Sequence, residues 1–264
     1  MEYLDLSDYQ KIQVAKGFDA TPELIPFILY LLQDLFELGS SPETIIEILD
    51  SLHLNKKAKV LDLACGKGAV SIQIAQRLGF SCKGIDLFKP FFEIAREKAL
   101  EAGVNHLCQF EVMDINNAVE KERDYDVVIL ASAESLLGEV NEAIGFLRKC
   151  IRKGGYIIYD GAYLNENSII TNPDYSVFKN YKETLKQLTS CGDEIISEMI
   201  VPSEETMNIN NTYTDAIRVR ANELALIHPD KKKLFLSYVE KQEEECSIIE
   251  KEITGCVWCI KKTG

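Results

Sequence analysis

The chain has 264 residues, enough for one substantial α/β domain with an embellishment or for two small domains. Its 46% hydrophobic and 27% charged residues are the profile of a soluble globular protein, and they exclude a disordered one. A formal charge of −13, with basic residues gathered only in short runs such as Lys231-Lys232-Lys233, argues against a nucleic-acid partner.

Residues 1–20 show little periodicity and read as a flexible arm. Thr21-Pro22 then supplies an N-cap and a favoured first helical position, predicting a helix to about Leu38 with Gly39 as its stop. Pro26, Gln33, Asp34 and Glu37 interrupt its apolar run, which is too short and polar to span a bilayer and lacks the flanks of a signal peptide. No membrane association and a cytoplasmic location are expected. Ser41-Pro42 starts a second helix carrying Ile45, Ile46, Ile48, Leu49 and Leu52 on one side. Residues 1–55 therefore read as an arm and helical cap, able to cover the carboxyl ends of an open sheet.

From Lys59 the pattern alternates between strand and helix. Strands are predicted at Lys59–Leu63, Cys82–Asp86, about Cys108–Met113, Tyr125–Ala131 and Tyr156–Asp160, the last entered through Lys153-Gly154-Gly155. Helices are predicted over about Val70–Leu78, Lys89–Ala102 and Val140–Ile151, and a short helical or loop stretch follows the third strand. The near-continuous apolar run of the fourth strand is that of a central parallel strand. Such alternation means an α/β, doubly wound parallel sheet. Beyond it lie a polar loop over Asn165–Tyr175, a helix over about Tyr175–Ser190 and a sixth strand at Glu194–Val201. Two long helices over about Glu204–Ile227 and Pro229–Ile253, and a last strand at Cys256–Lys262, complete the pattern. Residues 56–264 thus read as one domain with a helical insertion at about 203–253.

The first strand runs into a tight turn, Ala64-Cys65-Gly66-Lys67-Gly68, and then a helix. Small residues let a ligand approach the backbone, and the helix N-terminus offers unpaired N–H groups. A dinucleotide fingerprint needs a third glycine where Ser71 stands, and a P-loop pattern is absent. Asp62 to Gly68 instead read D-x-[GA]-x-G-x-G. This resembles the first motif of the class I, Rossmann-like, S-adenosylmethionine-dependent methyltransferases, with Ala64 where the family usually has its first glycine.

The resemblance covers about Val60 to Asp160. It implies a seven-stranded, mostly parallel sheet whose last strand is antiparallel and inserted between the fifth and sixth. It also implies a cofactor set of Asp62, Ala64, Gly66, Gly68, Asp86, Leu87, Met113, Asp114, Ile115 and Ala131, with S-adenosyl-L-homocysteine as product. Asp86 closes the second strand, where a carboxylate can accept both ribose hydroxyls, although NAD would suit that position too. Leu87 beside it is expected to pack on the adenine face. Val112-Met113-Asp114-Ile115 resembles the third motif, whose acid accepts from the adenine amino group between apolar neighbours. Asp62 lies where the family places the amino group and sulfonium, both cationic, and an acid there ill suits a pyrophosphate. Each acid also has an ordinary use, since Asp at a strand end is often only a turn former or helix cap.

Methyl transfer from a sulfonium needs alignment and water exclusion, and a base only if the acceptor must lose a proton. Candidates for acceptor contacts are Ser132-Ala133-Glu134-Ser135 and Asp160 to Tyr163, with Glu134 the first choice as base or orienting group. Asn172-Pro173-Asp174-Tyr175 looks like the base-gripping motif of nucleic-acid methyltransferases, but it follows the wrong strand and reads as a turn with an N-cap. The arrangement resembles the small-molecule branch with its quinone- and sterol-methylating enzymes, so transfer to an O, N or C atom of a small metabolite is expected. The insertion would select the acceptor or form a homodimer surface. A nicotinamide-dependent oxidoreductase is disfavoured by Ser71 and Asp62. A non-catalytic S-adenosylmethionine-binding sensor or partner subunit is the other alternative. No metal site is expected: the three histidines are scattered, and Cys256-Val-Trp-Cys259 lacks a second pair.

Overall fold

The computed structural model describes residues 6–166, 168 and 178–264, with the backbone alone at 134 and 135. Apolar runs become seven strands: β1 (Lys59–Leu63), β2 (Ser81–Asp86), β3 (Cys108–Val112), β4 (Tyr125–Ala131), β5 (Ile151–Leu164), β6 (Glu194–Ile200) and β7 (Ile253–Lys261). They form one sheet in the order β3-β2-β1-β4-β5-β7-β6. β1 pairs in parallel with β2 and β4, β2 with β3, and β4 with β5, while β6 and β7 pair antiparallel. The order matches the expected sheet, with the last strand placed between the fifth and sixth.

Parallel strands need crossovers, and these supply the layers. α4 (Ala69–Leu78) links β1 to β2, α5 (Lys89–Glu101) links β2 to β3, and α6 (Ile115–Lys121) links β3 to β4. α7 (Val140–Cys150) enters β5, and α8 (Tyr181–Leu188) precedes β6. Val127, Val128, Ile129 and Leu130 of β4 are fully buried, as a strand covered on both faces requires. Trp258 of β7 is fully buried in the same core, and its indole N–H donates to Glu198 Oε2 at 2.8 Å.

The chain forms two compact units, Glu37–Ile200 with Gly255–Gly264, which carries the sheet, and Met1–Phe36 with Val201–Thr254. The latter holds α1 (Asp8–Gly17), α2 (Ile25–Leu31), α9 (Ser203–Ile227) and α10 (Lys232–Glu252). Phe27 packs edge-on against Phe235 with ring centroids 4.9 Å apart. Arg220 of α9 grips Asp34 with two hydrogen bonds of 2.6 and 2.9 Å and also reaches Glu223, which accepts from the Tyr30 hydroxyl. Among the described residues no helix is long and apolar enough to cross a membrane.

Several elements differ from the sequence reading. The supposed arm contains α1, opened by a capping box in which Ser7 and Gln10 bond each other's backbone N–H. The helix expected to reach Leu38 stops at Leu31, and neither Thr21 nor Ser41 bonds a helix N–H through its side chain. Lys153-Gly154-Gly155 lies inside β5 rather than before it. The β4–β5 register shifts between Tyr125 and Val127, and Gly154 donates to Lys262, so the glycines form an irregularity within the strand. α8 begins at Tyr181, where Asn180 caps Glu183 N–H at 3.0 Å. The predicted start at Tyr175, and the Asn172–Tyr175 stretch, fall outside the described residues. α3 (Pro42–Ser51) buries Ile45, Ile46, Ile48 and Leu49, as its pattern predicts.

Candidate functional site

β1 delivers the chain into the turn at the carboxyl end of the sheet. Ala64 takes a left-handed φ of +56°, the conformation a glycine would adopt freely, at a cost of about 1 kcal/mol for an alanine. Gly68 is the N-cap of α4 with φ +81°. A Cβ there would lie 2.9 Å from the Phe110 ring and 3.0 Å from Ala95 Cβ, so conformation and packing both require glycine. Cys65 N–H donates to Ile85 O at 3.1 Å and Gly68 N–H to Cys65 O at 2.9 Å, fixing the turn against β2.

Asp86 closes β2 beside that turn. Its Oδ2 accepts the Gly66 N–H at 2.9 Å and its Oδ1 the Phe88 N–H at 2.8 Å. Burial pushes this carboxyl above its ordinary value, against the pull of the amides of Phe88, Gly66 and Leu87. The same residue's carbonyl accepts from Met113 N–H at 3.0 Å, bringing the end of β3 alongside. The structure thus joins Gly66, Asp86, Leu87 and Met113 at neighbouring strand ends.

Asp62 is 2% exposed inside β1 and accepts the Ser71 hydroxyl at 2.6 Å on Oδ2. Burial raises its carboxyl to about 7, the nearby Asp86 charge adds to the rise, and the Ser71 hydroxyl opposes it. Ser71, noted in the sequence only as a missing glycine, is the partner of this acid. Lys67 is also buried, with its ammonium 5.3 Å from the Phe91 ring centre. Nothing in the spacing of Lys67 announced that burial.

Asp114 caps α6, its Oδ1 accepting from Asn116 N–H at 2.8 Å and Asn116 Nδ2 at 3.0 Å. The ordinary use of that acid is therefore realised, and both bonds fall on one oxygen. Ile115 lies in the sheet's apolar core, against which Met113 is half-buried. Leu87 and Ala131 are half-buried at the ends of β2 and β4. Glu134 opens a short 3-10 turn after β4, and its side chain lies outside what is described.

A second polar cluster lies on β4 and β5. Ala131 pairs in register with Asp160. The Ser40 and Ser132 hydroxyl oxygens are 2.7 Å apart. Burial raises the Asp160 carboxyl to about 6, and the two hydroxyls hold the rise down. Ser132 is a non-glycine residue with φ +50°. Cys256 and Cys259 are fully buried on β7, and burial pushes the Cys259 thiol up to about 12. Among the described residues no group of three or more His, Cys, Asp or Glu could hold a metal ion.

A family model described as a methyltransferase domain matches residues 54–243. The chain is 27% identical over 192 residues to the ubiquinone biosynthesis O-methyltransferase of Shewanella sp. (strain ANA-3), covering 69% of this chain and 75% of that one. It is 25% identical over 181 residues to sterol 4-C-methyltransferase strm-1 of Caenorhabditis elegans, covering 63% of this chain and 51% of the relative. The chain thus spans about half the length of that relative. Among solved structures, the SAM-dependent methyltransferase of Geobacter sulfurreducens in complex with S-adenosyl-L-homocysteine superposes with a TM-score of 0.75 at 20% identity. It covers 88% of this chain and 96% of that one, a likeness of fold. The family match takes in well over half of the sequence, so the chain belongs to the methyltransferase-domain family and is an S-adenosylmethionine-dependent methyltransferase.

Proposed function

We propose that this enzyme methylates an O, N or C atom of a small-molecule acceptor. The cofactor would be held by Asp62, Ala64, Gly66, Gly68, Asp86, Leu87, Met113, Asp114, Ile115 and Ala131. The observation that carries the reading is the 2.9 Å bond from Gly66 N–H to Asp86, which unites the glycine turn and the strand-end acid in one site. S-adenosylmethionine, when bound, supplies a sulfonium methyl group already activated towards a nucleophile.

The residues suit that cofactor chemically. Asp86 offers carboxylate lone pairs to ribose hydroxyls. Asp114 has its cap bonds on Oδ1, which suits Oδ2 to the adenine amino group. Asp62 supplies negative charge near a cationic methionine end, and its raised pKa falls back towards the ordinary carboxylate range as a cation approaches. Leu87 and Met113 offer apolar surface to the adenine, while Glu134 would orient the acceptor or take its proton.

The acceptor class is supported by the named relatives, one acting in ubiquinone biosynthesis and one on sterols. A charge of −13 disfavours nucleic acid. The absence of a membrane-crossing helix among the described residues is in keeping with a cytoplasmic location. The α9–α10 insertion would select the acceptor or, through exposed Val219, Leu226 and Ile227, join a homodimer.

Calorimetric titration with S-adenosylmethionine, S-adenosylhomocysteine and NAD tests the site. Binding of the first two alone, weakened about thirtyfold by Asp86→Ala through loss of about 2 kcal/mol of hydrogen bonding, is expected. Unchanged affinity in that variant overturns the assignment. Methyl-transfer screens against phenolic, amine and sterol acceptors, with protein and nucleic-acid arms, test the acceptor class; transfer only to a macromolecule overturns it.

A further inference from the structure

We infer that Cys82 and Cys108 form a modification site: a small-molecule disulfide oxidises the two thiols to a cross-strand bridge, and closing the bridge shifts Phe110 against the glycine turn and weakens cofactor binding. The effect on the cofactor rests on the glycine-turn reading proposed above, whereas the bridge itself does not.

The two cysteines stand opposite each other on neighbouring parallel strands, Cys82 of β2 in register with Cys108 of β3. Neighbouring strands lie about 4.8 Å apart, and a disulfide accepts Cα separations of about 4.4 to 6.8 Å. Residues paired in this way put their side chains on one face of the sheet. The next pair along that face, Gly84 and Phe110, bears this out, since a Cβ on Gly84 would lie 2.7 Å from Phe110 Cδ1. Cys82 is buried. Cys108 is half-buried and lines a cavity of about 520 Å³ together with Glu93, Glu97 and Phe110. One thiol therefore meets a reagent from solvent, and the other meets its neighbour. Each now donates only weakly, Cys82 Sγ to Phe80 O at 3.9 Å and Cys108 Sγ to Ser71 O at 3.8 Å.

The exchange runs in two steps. The Cys108 thiolate attacks one sulfur of the small disulfide, whose S–S bond breaks and releases one thiol. The Cys82 thiolate then attacks the Cys108 sulfur of this mixed disulfide and releases the second. Two protein thiols are oxidised, the reagent is reduced to two thiols, and the two protons pass to those products. A bridge brings the Cβ atoms to about 3.8 Å, closer than a relaxed ladder holds them, and β3 is the strand able to move, because it lies at the edge of the sheet. Its movement has two routes to the cofactor turn. Phe110 fills the space against Gly68 and Gly84, so a displaced ring presses on the N-cap of α4. Cys108 also gives up the carbonyl of Ser71, whose hydroxyl serves Asp62 at 2.6 Å.

Treatment of the full chain with cystamine, a disulfide whose two ammonium groups suit Glu93 and Glu97, tests this. Mass spectrometry of an unreduced digest should find the Cys82 and Cys108 peptides linked. Burial holds the Cys108 thiol up at about 11, so the linkage should form about tenfold faster for each pH unit between about pH 7 and about pH 9. By calorimetry the bridged chain should bind S-adenosylhomocysteine about fivefold more weakly or worse, and dithiothreitol should restore the affinity. Cys82→Ala should stop at the mixed disulfide on Cys108, and cystamine should leave the affinity of Cys108→Ala unchanged. The peptide map needs no variant, so it decides the bridge even if either substitution folds poorly. No linked peptide at about pH 9 overturns the inference, as does a bridge that leaves affinity within about twofold, or an equal loss in treated Cys108→Ala. Reduced wild-type chain that binds no S-adenosylhomocysteine refutes the glycine-turn reading and the effect on the cofactor with it, a failure that shows before any oxidation.

Discussion

Replacing Asp62 by Asn should make the protein more stable and a poorer binder of its cofactor. The carboxyl is buried in β1, and burial raises it from 3.8 to about 7. A raised carboxyl favours the folded state only while it is protonated. Its contribution is complete below the unfolded value and is lost as pH rises through the folded one. At about 1.4 kcal/mol per unit, ionised Asp62 burdens the folded chain by about 4 kcal/mol at pH 8, an upper bound, and by about 1.5 at pH 5. Asn keeps a carbonyl oxygen for the Ser71 hydroxyl and carries no charge at either pH. Urea denaturation of both proteins should show the variant ahead by about 2 to 3 kcal/mol more at pH 8 than at pH 5. On the proposed cofactor assignment the same variant should bind S-adenosylmethionine more weakly, since the charge assigned to the cationic methionine end is gone, a trade of activity for stability. A stability difference that does not depend on pH, or a variant less stable at pH 8, refutes the reasoning.

Gly84→Ala places a Cβ 2.7 Å from Phe110 Cδ1 and 2.8 Å from Cys65 Sγ, behind the glycine turn. It should cost about 1 to 3 kcal/mol in urea unfolding, with part recovered in a Phe110→Leu background; strict additivity of the two changes refutes the packing account. Trp258→Phe removes the indole donor to Glu198, which keeps the Tyr181 hydroxyl. A loss of about 1.5 to 3 kcal/mol is expected by thermal unfolding, and an unchanged melting point would remove this bond from the fold's supports. Glu245 of α10 is pushed up to about 7 by burial and by the Asp19 charge. The wild type should therefore lose stability as pH climbs from the unfolded carboxyl range through about 7, and Glu245→Gln should flatten that part of the profile. An equal slope in both proteins excludes the glutamate as its source.

The sheet was legible because its strands carry short-range signals. Tyr125–Ala131 reads as a central strand from its own composition, and β1 with its glycine turn declares both a strand end and a helix start. The resemblance supplied what periodicity could not, the place of β7 between β5 and β6. Residues whose role depends on distant partners stayed hidden. Ser71 looked like a missing glycine because the acid that needs its hydroxyl is on another element. The burial of Lys67 had no local signal, because the Phe91 ring that its ammonium faces lies on α5, beyond α4 and β2. Asp160 was one of several candidates read as following the fifth strand, but Asp160 to Tyr163 all lie inside β5, which runs on to Leu164. α1 was missed for a different reason: its apolar residues make no stripe, and the signal was the Ser7–Gln10 capping pair rather than any period.

The place of β7 between β5 and β6 also orders the assembly of the sheet in time. β2 to β5 each gain a partner from chain already made, but β6 has no neighbour until β7 has formed, because it touches no other strand. During synthesis β6 must wait while the whole of α9 and α10 is laid down. Through that interval the outer edge of β5 is unpaired, a template for any other extended chain. Loss of β7 would accordingly remove two strands from the sheet rather than one, and leave β5 as its border.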